Sequence, residues 1–139
     1  MNYDEQTWRA YVAAYDIEVP EERIEQEYAM VRADMKHRMM YAQMSGGETH
    51  LFPDMELAEM EGELREVALF EAKEPLVLRD LAKKLDVAVT AEELAAEAEA
   101  MAKRQSTTVD EIKRFFGEDL SLLERDVREN KIREWACKQ

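Results

Sequence analysis

Reactive side chains are few in this chain, and their spacing decides what chemistry is open to them. The two histidines, His37 and His50, have no cysteine partner and no His-x-x-x-His spacing. A zinc site needs three or four nitrogen or sulfur ligands brought together, so none is expected. Neither histidine follows a Glu by three residues, as a di-metal carboxylate bundle requires. The single cysteine, Cys137, cannot form an internal disulfide and has no histidine nearby in sequence to activate it. Glu59, Glu61, Glu63 and Glu66 supply many carboxylates. Acid–base work needs two carboxylates in contrasting environments, whereas a run of this kind reads as a solvated helix face. Ser45-Gly46-Gly47-Glu48 lacks the later Gly-Lys-Ser/Thr of a phosphate loop, and no Gly-x-Ser-x-Gly elbow occurs. The residues therefore predict no enzyme, no metal and no cofactor.

Methionine is the residue whose placement stands out. Of nine, seven fall between Met30 and Met60: Met30, Met35, Met39, Met40, Met44, Met55 and Met60. The thioether side chain is flexible and polarizable, and it recurs on surfaces that accept varied apolar shapes. It also fills loosely specified cores. The helical phase separates the two uses. Met35, Met39 and Met60 fall on core stripes, while Met30, Met40 and Met44 fall off them.

The elements that carry these residues can be read from period and punctuation. Only 4 Gly and 3 Pro interrupt 139 residues, 46 % of which are hydrophobic and 37 % charged. So few turn formers favour long helices over many strands, and the expected fold is all-α, an elongated multi-helix domain with a long helical hairpin. A leading helix is expected over about 5–15, with Trp8, Tyr11, Val12 and Tyr15 on one side. The connector Asp16–Pro20 gives way to a second helix over about 21–44, for which Pro20 or Glu21 suits the first turn. On that helix Ile24, Tyr28, Val31, Met35, Met39 and Ala42 form a core stripe. Met30, His37, Tyr41 and Met44 lie roughly opposite, at about 100° per residue. Ser45-Gly46-Gly47 stops the helix. After the loop Glu48–Phe52, Pro53 starts a third helix to about Lys73, striped by Leu57, Met60, Leu64, Val67 and Ala68, so 21–73 reads as an antiparallel hairpin.

Pro75 predicts a kink or break, since a helix-interior proline removes a hydrogen bond. Leu78, Leu81, Ala82 and Leu85 resume the stripe, and Asp86–Val89 is an extended link. Three capping boxes then follow. Thr90…Glu93, Thr108…Glu111 and Ser121…Glu124 predict helices to about Arg104, Phe116 and Ala136. Seven helices and no sheet are expected, in one domain over 1–139, with 76–138 as the second group of helices.

Acidic residues outnumber basic ones, 32 to 19, for a net charge of −13. That surface repels phosphate, so neither nucleic acid nor an anionic membrane is an expected partner. It serves solubility, or a preference for basic partners. No run approaches membrane-spanning length, and Met1-Asn2-Tyr3-Asp4-Glu5 has neither the basic nor the apolar part of a secretion signal. The expected location is the cytoplasm.

The order of these pieces resembles the C-terminal chaperone domain of bacterial trigger factor. Asp16-Ile17-Glu18-Val19-Pro20-Glu21-Glu22-Arg23-Ile24 looks like that family's linker into its first arm helix. Pro75-Leu76-Val77-Leu78-Arg79-Asp80-Leu81-Ala82 looks like the apolar stretch opening its second arm. Asp86-Val87-Ala88-Val89-Thr90-Ala91-Glu92-Glu93-Leu94 is similar to its link into the next helix, and Val109-Asp110-Glu111-Ile112 and Leu123-Glu124-Arg125-Asp126-Val127 continue the order. The helical peptide-binding region of periplasmic chaperones of the SurA type shares part of this pattern. The resemblance implies a helical body with two arms that hold unfolded or nascent polypeptide through scattered apolar side chains, without ATP. It implies neither ribosome docking nor prolyl isomerisation, because the Gly-Phe-Arg-x-Gly signature and the isomerase sheet do not occur. The candidate client-contacting residues are Met30, Met40, Tyr41, Met44, Leu51, Phe52, Met55 and Phe70. The alternative is a homodimer, or a helical protein specific for one folded partner, in which the same stripe is permanently covered.

Overall fold

Proline at 20 fixes the extended backbone that launches a helix of 24 residues, and the fold is laid out from there. The computed structural model describes residues 3–139, and these are all helix, turn and loop. The helices are α1 (Glu5–Ala14), α2 (Glu21–Met44), α3 (Pro53–Glu59), α4 (Glu61–Leu85), α5 (Ala91–Arg104), α6 (Val109–Phe116) and α7 (Glu124–Ala136), with a 3-10 turn at Ser121–Leu123. They fall into two compact units. One comprises Val12–Val77, and the other the residues up to Tyr11 together with Leu78–Gln139.

In the unit Val12–Val77, Met39, Leu57 and Leu64 are buried together, with Tyr28, Val31, Met35 and Met60 packed around them. These residues come from one stripe of α2, from α3 and from the start of α4, as the three-and-four spacing requires. Leu57 is completely buried. The turn between α2 and α3 follows from its glycines. Gly46 adopts φ 82°, a left-handed backbone open to glycine at little cost. Gly47 N–H then donates to Ala42 O at 2.8 Å and Gly46 N–H to Gln43 O at 3.2 Å, the paired bonds of a Schellman cap. A Cβ on Gly47 would lie 2.7 Å from the Ala42 carbonyl oxygen.

Three departures from the sequence pattern have physical causes. The expected helix Pro53–Lys73 is interrupted at Met60, whose N–H is shared between the carbonyls of Glu56 and Leu57, both at 3.2 Å. Glu59, Glu61 and Glu63 crowd like charge there, and Gly62 is a weak helix former. Of the kink or break expected at Pro75, the break does not occur: Pro75 lies inside α4, which runs through it from Glu61 to Leu85. A proline there costs about 3 kcal/mol, while Ala72, Val77, Leu78 and Leu81 are buried on either side of it. The segment Pro75–Ala82 therefore continues a helix rather than opening one. Finally, Ser121 does not cap α7. It begins the 3-10 turn, and Leu123 occupies the cap position without a side-chain bond.

In the other unit, α5 turns a stripe of Leu94, Ala98 and Ala102 onto Ile112 of α6, Leu120, Leu123 and Val127 of α7. The Thr90…Glu93 capping box forms with both reciprocal bonds, and Thr108 Oγ1 accepts from Glu111 N–H at 3.3 Å. The link before α5 has no partner strand. Its carbonyls are taken up by α7 instead: Arg128 donates to Val87 O at 3.3 Å and Lys131 to Ala88 O at 2.6 Å. Trp8 of α1 is fully buried and stacks on Tyr11 with ring centroids 5.9 Å apart. Arg133 of α7 lies over its ring at 5.8 Å.

Leu57→Ala empties the centre of the α2–α3–α4 core and is expected to cost about 2–5 kcal/mol in chemical denaturation, against less than about 0.5 kcal/mol for Met30→Ala at an exposed position. Equal losses from the two substitutions would show that this core does not hold the hairpin.

Candidate functional site

A helix that buries one stripe leaves its opposite side to solvent, and on α2 that opposite side is apolar. Met30, Met40, Tyr41 and Met44 are all exposed. So are Leu51 and Phe52 in the loop and Met55 on α3. Six of these seven lie between Met40 and Met55, bracketing the turn. Met30 lies about 15 Å further down α2, at 1.5 Å per residue. Phe70, the eighth candidate, is half-buried on α4 and stands apart from the exposed group.

The loop that carries Leu51 and Phe52 is tied down at both ends. His50 N–H donates to Gln43 Oε1 of α2 at 3.0 Å, and His50 Nδ1 meets Glu56 Oε2 of α3 at 2.6 Å. Asp54, in the first turn of α3, accepts from Lys36 Nζ and Arg32 Nη2 of α2, both at 3.1 Å. Hydrogen bonds from Lys36 and Arg32, reinforced by their charges, hold its carboxyl below the usual 3.8. Further along, Arg65 of α4 bonds Glu25 of α2 at 2.8 Å and lies over the Tyr28 ring at 4.1 Å. Apolar side chains are thus presented from a turn whose backbone and polar groups are fixed.

The charge of this unit is lopsided. Between Val12 and Val77 there are 16 acidic residues against 6 basic ones, a net of −10. Four of the six bases, Arg32, Lys36, Arg38 and Arg65, are already paired within the unit. The rest of the chain holds 16 acidic and 13 basic residues, a net of −3.

Phe115 and Leu122, the most exposed of the large apolar residues of the other unit, escaped the sequence reading. The signal was present. Each neighbours a buried or half-buried partner, Phe116 and Leu123, which leaves it facing away. Val67, expected on the core stripe, is exposed, because α4 buries Leu64, Ala68 and Ala72 at steps of four. Ala42 is likewise exposed, at the frayed end of its stripe. A groove of about 740 Å³ between α5 and α7 is lined by Glu93, Glu97, Arg104, Asn130, Lys131 and Glu134. Its charges are spent on one another, Lys131 on Glu93 at 2.8 Å and Arg104 on Glu97 at 3.0 Å. Among the described residues, no three of His, Cys, Asp and Glu are grouped to hold a metal ion, and no helix is long and apolar enough to cross a membrane.

These features define an all-α protein with a methionine-rich apolar surface displayed on an acidic helical hairpin. The family model of the bacterial trigger factor protein C-terminus matches residues 2–138, and the chain belongs to that family. The family is chaperone-related, and its members interact with nascent and unfolded polypeptide. No curated protein and no solved structure matches the chain.

Asp54 gives the hairpin a defined acid dependence. Its folded-state pKa is depressed below 3.8, so its bonds stabilise fully above that value and are lost as pH falls through the folded-state pKa. Wild type is expected to melt above Asp54→Asn at pH about 6, and the difference to shrink as pH falls below 3.8. A difference in melting temperature that persists at the acidic end would exclude this carboxylate as the cause.

Proposed function

We propose that the chain is an ATP-independent chaperone module that holds unfolded or nascent polypeptide on the apolar side of the Glu21–Lys73 hairpin, the counterpart of a first arm in its family. The observation that carries the reading is the exposure of Met30, Met40, Tyr41, Met44, Leu51, Phe52 and Met55, six of which bracket the turn between α2 and α3. Large apolar side chains exposed together are a cost to a protein that uses them for nothing. Four of the seven are methionines, whose unbranched chains adapt to partners of unlike shape. Each contact is weak and their sum moderate, as reversible holding requires. No bond is made or broken, so the module works as a binder rather than an enzyme.

The same residues would be covered in a homodimer, and the charge weighs against that arrangement. Two copies meeting through this unit bring a net −10 against a net −10. Like charges across an interface oppose association, whereas an unfolded client with basic residues is drawn toward it. The half-buried Phe70 offers the holding surface less area than the seven exposed side chains. Phe115 and Leu122 offer the other unit a smaller apolar contact of its own.

Suppression of aggregation of a chemically denatured test protein, measured by light scattering, tests the proposal. Met30→Ser/Met40→Ser/Met44→Ser should fold as wild type does and protect at least about threefold less well, from the apolar area removed. Undiminished protection by the triple variant would take this surface out of the function. A tight dimer in sedimentation, with no protection by wild type, would favour the partner-specific reading.

A further inference from the structure

Methionine is apolar until its sulfur is oxidised, and the methionines among the described residues do not share one environment. Met44 is 84 % exposed, Met30 and Met55 are each 65 % and Met40 is 43 %, whereas Met39, adjacent to Met40, is at 8 %. Met35 and Met60 are half-buried against the same core as Met39. Peroxides oxidise thioethers that they can reach, and the sulfoxide exchanges a flexible apolar side chain for a polar, chiral one. The geometry points to Met30, Met40, Met44 and Met55 as modification sites, at which a peroxide switches the hairpin's apolar surface to a polar one without unfolding it. The inference rests on the reading that this surface holds polypeptide.

The chemistry balances with the peroxide alone. The sulfur lone pair attacks one peroxide oxygen, the O–O bond breaks and an S–O bond forms. The other oxygen leaves with the proton as water. Sulfur loses two electrons and the peroxide gains them. Reversal consumes a thiol reductant, which removes the oxygen as water, and each sulfoxide epimer needs its own reductase.

Two features of the structure make this a switch rather than damage. The fold does not depend on the exposed sulfurs, because the core of the hairpin is Met39, Leu57 and Leu64 with their half-buried neighbours. Its closing bonds come from Asp54, Arg32, Lys36, His50 and Glu56, none of which takes up oxygen at sulfur. The surface does depend on them, since they make up four of its seven exposed apolar side chains. Leucine at those four positions would supply similar apolar area with no response to peroxide.

The full chain is treated with hydrogen peroxide, sulfoxides are mapped by peptide mass spectrometry, and circular dichroism and aggregation suppression are followed in parallel. Met44, Met30 and Met55 are expected to oxidise before Met40, with Met39 last and the helical signal unchanged. Protection should fall by about threefold or more and return after treatment with both classes of sulfoxide reductase and dithiothreitol. Whatever protection M30L/M40L/M44L/M55L gives before peroxide should be unchanged after it. Oxidation of Met39 as early as Met44, full protection by wild type bearing sulfoxide at the exposed sites, or equal loss in the leucine variant would each overturn the inference. Absence of protection by untreated wild type is a different failure, because it removes the polypeptide-holding reading itself.

Discussion

A helix that is apolar on two opposite sides needs a packed layer on each, and α2 has a layer on only one. Tyr28, Val31, Met35 and Met39 meet Leu57 of α3 and Leu64 of α4, and that stripe is what α2 contributes to the core of the hairpin. The rest of the unit is arranged around this thin seam. Ion pairs between exposed groups contribute little each, about 0–1 kcal/mol. The bonds from Asp54 to Arg32 and Lys36, and from Arg65 to Glu25, therefore set the register of the hairpin more than its stability. The stability comes from Leu57 and its neighbours, and the glycine cap at Gly46–Gly47 lets two helices meet over so short a seam.

The two units solve the same problem differently. In the unit that holds α5, α6 and α7, small residues at Ala98 and Ala102 let the surrounding elements close around a buried cluster of seven side chains. Charge is nearly balanced there, and cations of α7 serve the carbonyls of the Val87–Ala88 link. In the hairpin unit the packed cluster has three buried members, and most of the negative charge of the chain is collected. A small core with large exposed apolar side chains is the combination expected where surface is kept for a partner rather than spent on the fold.

Much of this was written in local sequence. The bounds of α2 follow from Pro20 and from Gly46–Gly47, and the start of α5 from Thr90 and Glu93, because each signal concerns groups within a few residues of one another. The separation of Met39 from Met40 and Met44 was legible for the same reason, since helical phase is a local property. What could not be read depends on distant packing. Pro75 looks like a break until Ala72, Val77, Leu78 and Leu81 are seen to be buried around it. Met60 looks like an ordinary stripe residue, although the carboxylates beside it and Gly62 weaken the helix there. The Ser121…Glu124 spacing matches a capping box, yet Leu120 takes a left-handed φ of 60° that starts a 3-10 turn instead. Phase alone also could not show that Phe70 is half-buried, because that depends on what packs against α4.

The acidic excess and the exposed methionines are best understood as one arrangement. An apolar turn on a concentrated protein invites its own copies, since the hydrophobic drive does not distinguish one apolar surface from another. Charge does distinguish them. At physiological salt the Debye length is about 8 Å, so the net −10 of the hairpin unit acts mainly on what comes nearly into contact. A second hairpin arrives with the same sign and is opposed over that last distance. An unfolded segment arrives with its own mixture of charge and can present its basic residues first. With four of the six basic residues of the unit already committed to internal pairs, the repulsive term is not neutralised from within. On the proposed reading, the carboxylates keep the methionines available to foreign chains, a selectivity that needs no shaped pocket and suits a surface of flexible thioethers.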